Sequence, residues 1–395
     1  MKKREGLEMA ALPREPMMIT EEGYLIGRYS RSGIAELTFN QTPFLLIGEA
    51  WVSGPKLELD AFDEIISFSI VSGEDCAGHF GPKFPSGPEN LKIPLLHLSR
   101  IMTITSQIAA RLIYPEKIPV LVGGKNIRAN NQNLISPPAT VTARASNFKA
   151  NGTNFSARTL GRANGEPYAE IEELSFKLIT LDNFTRTGDI VSEIPDELLR
   201  GCKIKREMYR SDIEELILER EPFHRLDRAI LLQSPKGDLK LVTISKITKA
   251  DCSGQLVIDG QSSLSLVDYS RLMALTAELL ASIVTRERFD DFLVVPIAVK
   301  VDKVDTPNLL LFSPPVVVIA EASISAKNLY DPRMIKRGKQ LFWADSASAW
   351  IDNVEVARMD KIVYALVPED KFFEENNIKY KNDASSVINP RHKLI

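Results

Sequence analysis

The sequence predicts an α+β protein made of two tandem copies of one unit, each a long central helix wrapped by an antiparallel β-sheet. Three observations predict it. Short motifs recur in the same order at a nearly constant offset, each half holds one helix apolar on almost every side, and the remaining segments read as strands. The length of 395 residues agrees, because it exceeds what one ordinary core serves.

The repeat comes first. Asp75-Cys76-Ala77-Gly78-His79-Phe80 recurs as Asp251-Cys252-Ser253-Gly254-Gln255-Leu256, 176 positions on. Leu98-Ser99-Arg100-Ile101-Met102 matches Tyr269-Ser270-Arg271-Leu272-Met273 at 171, and Ser136-Pro137-Pro138 matches Ser313-Pro314-Pro315 at 177. Pro43-Phe44 and Pro222-Phe223, 179 apart, read as the start of each copy's first strand. The small changes of offset are loop insertions. The first copy spans residues 20–182 and the second 209–395, with an extension at 1–19. Residues 183–208, of mixed charge with Gly188, Pro195 and Gly201, read as a linker.

The central helices are expected over 93–113 and 263–284. Pro94 suits a first turn, and Ser262 or Ser263 can cap the second helix. Leu264, Leu266, Val267, Tyr269, Leu272, Met273 and Leu275 cover most of that helix's circumference, so protein must surround it. Residues 314–322 form a nearly continuous apolar strand, while 140–148 and 168–179 alternate. A sheet closed over a buried helix satisfies both patterns. Gly123-Gly124-Lys125 lacks the spacing of a phosphate loop and reads as a turn.

Composition narrows the function classes. A net charge of −3 leaves no basic footprint for nucleic acid or an anionic membrane surface. Residues 1–16 lack the apolar core of a signal peptide, and 263–284 contains Asp268, Arg271 and Glu278, which argues against a spanning helix. Three cysteines make no disulfide framework, and with four scattered histidines they show no metal-ligand spacing. The expectation is a cytoplasmic protein without metal or cofactor.

Several of these residues resemble a known family. Residues 211–217 followed by Pro222-Phe223-His224-Arg225-Leu226-Asp227-Arg228 resemble the N-terminal helix and first strand of 3-hydroxyacyl-[acyl carrier protein] dehydratases. Gly78-His79-Phe80 and the Gly/Pro-rich stretch 81–87 resemble that family's catalytic Gly-His-Phe and its loop. The resemblance implies the double hot-dog fold, as in the tandem dehydratase domains of polyketide synthases. There each site takes a histidine from one hot dog and a carboxylic acid from the helix of the other. Here the first copy offers His79 but has His97 where an acid is implied. The second has Gln255 in place of the histidine but offers Asp268, the repeat counterpart of His97. His79 with Asp268 would complete one site, and His97 with Gln255 would be vestigial.

The chemistry implied is loss of water from a 3-hydroxyacyl thioester. His79 would take the C2 proton, since imidazole titrates near neutrality. Asp268 would protonate the departing hydroxyl, kept neutral by the apolar helix around it. Backbone N–H groups of Ser263, Leu264 and Ser265 would face the thioester oxygen. The implied partner is an acyl carrier protein presenting a phosphopantetheine arm, with other subunits of a fatty-acid or polyketide assembly as further partners. Thioesterase or cyclase chemistry on the same fold, and a non-catalytic acyl- or partner-binding subunit, are the alternatives. Cys76 and Cys252 read as small core residues, and Arg100 and Arg271 as supports where the helices meet.

Overall fold

The structure, a computed structural model, describes residues 19–20, 23–54, 62–76, 92–93, 95–129, 135–180, 186–187, 194–220, 223–288, 294–308, 311–329 and 340–376. In chain order the first half runs β1 (Ile19–Thr20), β2 (Gly23–Ser30), α1 (Arg31–Thr38), β3 (Glu49–Gly54), β4 (Glu64–Val71), α2 (Leu95–Ile113), β5 (Ile118–Ala129), β6 (Ala139–Asn151), β7 (Asn154–Ala163) and β8 (Glu166–Ile179). Between the halves lie β9 (Arg186–Thr187) and α3 (Asp196–Leu199). The second half runs β10 (Lys203–Tyr209), α4 (Arg210–Glu214), β11 (Arg228–Gln233), β12 (Leu239–Ile247), α5 (Leu266–Arg288), β13 (Val294–Asp305), β14 (Leu311–Phe312), β15 (Val316–Ile324), α6 (Ala326–Leu329), β16 (Gln340–Ile351), β17 (Val354–Pro368) and α7 (Glu369–Glu375).

Fifteen strands form one sheet in the order β1-β2-β3-β4-β6-β7-β8-β5-β13-β17-β16-β15-β12-β11-β10. Read outward from the β5–β13 seam, the two arms have the same connectivity. Each has its long helix between the third and fourth of its seven shared strands, counted along the chain. This is a double hot dog, and every pairing within the large sheet is antiparallel. Local turn chemistry repeats as well. Asn164-Gly165 closes β7 on β8 and Asp352-Asn353 closes β16 on β17, all four at positive φ, as a two-residue hairpin turn requires.

Both central helices sink into one continuous apolar core. Ile101, Ile104 and Ile108 of α2, and Leu272, Met273, Leu279 and Leu280 of α5, are shut off from solvent. Each helix also carries one hydroxyl tie to its sheet. The Ser67 and Thr105 hydroxyls lie 2.5 Å apart, and the repeat-equivalent Thr243 and Thr276 hydroxyls 2.7 Å apart. Among the described residues no helix is long and apolar enough to cross a membrane.

Three expectations change. Residues 203–208, read as the end of a linker, belong to β10, the counterpart of β2; four of the seven residues of this edge strand are charged and most are exposed, which hides it. Phe44 and Phe223 follow α1 and α4 and precede β3 and β11, the second of the seven shared strands of each copy, so they do not start a first strand. Gly123-Gly124-Lys125 is no turn: it lies within β5 and pairs with Asp305, Val304 and Lys303 of β13. A Cβ on Gly123 would stand 2.9 Å from the Val304 carbonyl oxygen, so the strand that joins the copies needs glycine for close approach.

Candidate active site

The repeated Asp-Cys motif builds a turn in front of each central helix. In the first copy the Asp75 carboxylate accepts from the Ser72 N–H at 2.8 Å and the Ser72 hydroxyl at 2.7 Å. In the second, Asp251 accepts from the Thr248 N–H at 2.6 Å and its hydroxyl at 2.8 Å. The cysteines that follow are buried, and desolvation first, with carboxylates nearby, pushes both thiols up to about 12. They are unreactive core groups.

The glycine two residues further on has a reason too. Gly254 has φ +80°, and a Cβ there would stand 2.3 Å from the Gln41 carbonyl oxygen. Its segment stitches the second copy to the first. Gln41 N–H donates to the Gly254 carbonyl at 2.6 Å, Val257 N–H to the Phe39 carbonyl at 2.6 Å, and Leu256 N–H to Asn40 Oδ1 at 3.0 Å. Asn40 in turn donates to Gln107 of α2 at 3.0 Å. Asn40 has no counterpart motif in the second copy, so repeat matching passes over it.

His79 lies outside the described residues. Its repeat partner Gln255 is buried and donates from Nε2 to the Ser265 hydroxyl. Ser265 also receives the Val267 N–H at 3.2 Å, while its own N–H donates to Asp268 Oδ2 at 3.1 Å. Asp268 therefore caps the first turn of α5 together with Ser265, as the carboxyl half of a capping box. At the matching position of α2, His97 is buried and bonds through Nε2 to the Asp75 carbonyl oxygen. The structure thus places Gln255 and Asp268 on one serine, and His97 on the Asp75 turn.

The N–H groups assigned to an oxyanion are engaged. Ser263 N–H donates to the Gln255 carbonyl at 3.1 Å, Leu264 N–H to the Phe312 carbonyl at 2.9 Å, and Ser265 N–H to Asp268. This corrects the expectation for all three, and the reason is local: the chain turning into α5 uses its own donors to satisfy buried carbonyls and the cap.

The surroundings of Asp268 are also not purely apolar. Burial lowers both the Arg100 guanidinium, to about 10, and that of Arg271, and in each case the Asp268 charge is the largest influence opposing it. Arg100 further lies 4.3 Å over the Phe44 ring. Arg225 pairs with Asp251 at 2.5 Å next to this group. The two repeat-equivalent arginines, one from each copy, thus both feel the charge of one buried carboxyl group.

Beside this cluster opens a cavity of about 220 Å³. Leu95, Ser99 and Thr103 of α2 line it, as do Val267, Ser270, Arg271, Ala274 and Glu278 of α5, with Val304, Ile362 and Phe372 completing the wall. Glu219, from the segment after α4, also lines it and shares a hydrogen bond with Glu278. Burial, first of all, raises both carboxyl groups, Glu278 well above its usual range. Glu278 is legible in the sequence as a charge inside an apolar helix, whereas Glu219 carries no sequence signal. Among the described residues no group of three or more His, Cys, Asp or Glu is placed to hold a metal ion.

A double hot dog with a mainly apolar cavity at the meeting of its two helices defines the architectural class. No protein-family model matches the sequence, and no curated protein matches it. Solved structures of similar architecture include the dehydratase domain of a mycocerosic acid synthase-like polyketide synthase, at 11% identity and TM-score 0.46, covering 82% of this chain and 97% of that one. The N-terminal dehydratase from the difficidin assembly line is similar at 10% identity and TM-score 0.45, covering 80% and 98%. A bifunctional dehydratase-cyclase domain from ambruticin biosynthesis is similar at 9% identity and TM-score 0.42, covering 80% and 95%. These likenesses concern architecture alone.

Proposed function

We propose that the protein removes water from a 3-hydroxyacyl thioester carried on an acyl carrier protein, in fatty-acid or polyketide assembly. The observation that supports this reading is an apolar cavity lined by residues of both copies, with the buried Asp268 one residue beyond Val267 of its lining, at the start of α5. In this reading His79 takes the C2 proton and Asp268 gives a proton to the leaving hydroxyl. The oxygen of the thioester is met by the Arg271 guanidinium, since the N–H groups of Ser263, Leu264 and Ser265 are engaged. The pantetheine arm of the carrier would reach this point from outside, and no cofactor is required.

The test is mass spectrometry of a carrier-bound 3-hydroxyacyl chain incubated with wild type, His79→Ala and Asp268→Asn. Loss of one water with wild type, abolished in both folded variants, is the expected result. A free acid or a ring as product would replace dehydration by thioesterase or cyclase chemistry. An unchanged substrate across several chain lengths would overturn the enzyme reading.

The last outcome corresponds to a second reading, favoured by the capping box. Asp268 already has a structural occupation, receiving the Ser265 N–H, and its charge acts on Arg100 and Arg271. A subunit that binds an acyl chain or a partner without turnover needs nothing more from it.

A further inference from the structure

Apart from the hydroxyls of Ser99, Thr103, Ser270 and Tyr168, the cavity wall carries ionisable groups at two places a short way apart. Arg271 and Glu278 stand seven residues apart on α5, two turns along one face, which separates them by about 10 Å of helix axis. Between them Ala274 and Leu275 keep the wall apolar.

Each end holds a buried polar atom without a hydrogen-bond partner among the described residues. Arg271 is 9% exposed, and its Nε has no hydrogen-bond partner among the described residues. A buried guanidinium with unused donors calls for an oxygen acceptor. At the other end Glu219 is 6% exposed; its carboxyl group shares a hydrogen bond with Glu278 and accepts from the backbone at Leu218 and Glu219, while its Oε2 has no hydrogen-bond partner among the described residues. A pair of buried carboxyl groups with one oxygen unpartnered offers an acceptor to a bound donor. An aliphatic terminus placed against them would leave that acceptor dry and unpaired.

We propose that this cavity is a two-ended site for an acyl chain with a hydrogen-bond donor, a hydroxyl or an ammonium, at the end remote from its carbonyl. Arg271 holds the carbonyl or carboxylate oxygen, and the Glu219–Glu278 pair holds the remote donor. The spacing suits a chain on the order of eight carbons. The inference rests on the acyl-chain reading above and adds the substrate class: chains already functionalised at their far end, supplied by a starter unit with a hydroxyl or amino group.

The probes are hexanoate, octanoate and decanoate, each beside its ω-hydroxy and ω-amino counterpart, titrated calorimetrically into the full chain. Wild type is expected to bind the ω-functionalised member of the best-fitting pair about tenfold more tightly than the methyl-terminated one. Glu278→Leu and Glu219→Gln, checked for folding by circular dichroism, are expected to erase that preference. Arg271→Met is expected to weaken all chains alike. Glu278→Gln preserves shape and serves should the leucine variant fail to fold. Tighter binding of the ammonium than of the hydroxyl, or the reverse, identifies the donor, and either supports the site. Equal or better binding of methyl-terminated chains, a preference that survives the carboxyl variants, or no binding by any chain overturns it. The readout uses free chains, so a protein that removes no water from carrier-bound substrate still shows the preference, and one that does can lack it.

Discussion

At the start of α2, His97 bonds to the carbonyl of the turn in front of it; at the start of α5, Asp268 caps its own helix and acts by its charge on two guanidinium groups. The turns that precede the two helices are alike to the hydrogen bond, as are the hydroxyl ties that hold the helices to the sheet. What differs is the residue presented at the junction. The frame tolerates either an imidazole or a carboxyl group, but only the carboxyl group answers the charge of Arg100 and Arg271. Function at this junction is a property of side chains set on a duplicated scaffold.

The sharpest way to break this comparison is to remove each residue in turn. Asp268→Leu removes the buried carboxyl group that accepts the Ser265 N–H and caps α5, and is expected to destabilise by roughly 2–4 kcal/mol. His97→Leu removes a bond to one carbonyl and should lower stability by only about 1–2 kcal/mol. Equal losses in urea denaturation would mean that the carboxyl group holds its helix no better than the imidazole does.

A second contrast lies between Leu45 and its counterpart 179 positions on, His224. Leu45 is buried apolar, whereas His224 accepts the Leu226 N–H at Nδ1 and is pushed down to about 4, chiefly by burial and then by nearby arginines. The unfolded chain takes up this proton near 6.5 and the folded one near 4, so stability should fall as pH drops through that window, by roughly 3 kcal/mol in full. His224→Leu should flatten that slope, measured as melting temperature against pH. An unchanged slope would assign it to carboxyl groups elsewhere.

Gly254→Ala sharpens the comparison at the stitch between copies. It forces a Cβ onto the Gln41 carbonyl at a positive φ, and a loss of about 2–3 kcal/mol is expected from thermal denaturation. A neutral result would show that the stitch yields. The smallest effects should be the matched pair Ser67→Ala and Thr243→Val, each about 1 kcal/mol and equal within error. Unequal values would mean that the duplicated ties carry different loads.

Much of this architecture is legible in the sequence because duplication doubles the signal. The Asp-Cys motif and the Ser-Arg pair each appear twice, and an all-round apolar helix between strands leaves few packings. The edge strand β10 stayed hidden because it buries so little: most of its residues are exposed, and its charged residues resemble those of a linker. The glycines of β5 resemble a turn because their cause, close approach of a strand from the other copy, is a long-range contact. The same holds for the site. Asp268 is visible as a carboxyl group in an apolar helix, but the serine that caps with it and the arginine from the other helix become meaningful only in space. Glu219 is surrounded by charged residues in the sequence and is buried only in the fold.

The seam between β5 and β13 has one more consequence. Two hot dogs that pair as separate copies of one chain are identical, so every substitution in the gene strikes both sites at once, and dilution can part them. Joined on one polypeptide, the halves face each other at a fixed effective concentration, and their pairing does not depend on how much protein is present. A substitution now falls on one side only. That freedom let one helix keep an imidazole and the other a carboxyl group, and it leaves each half open to further change that its twin need not follow.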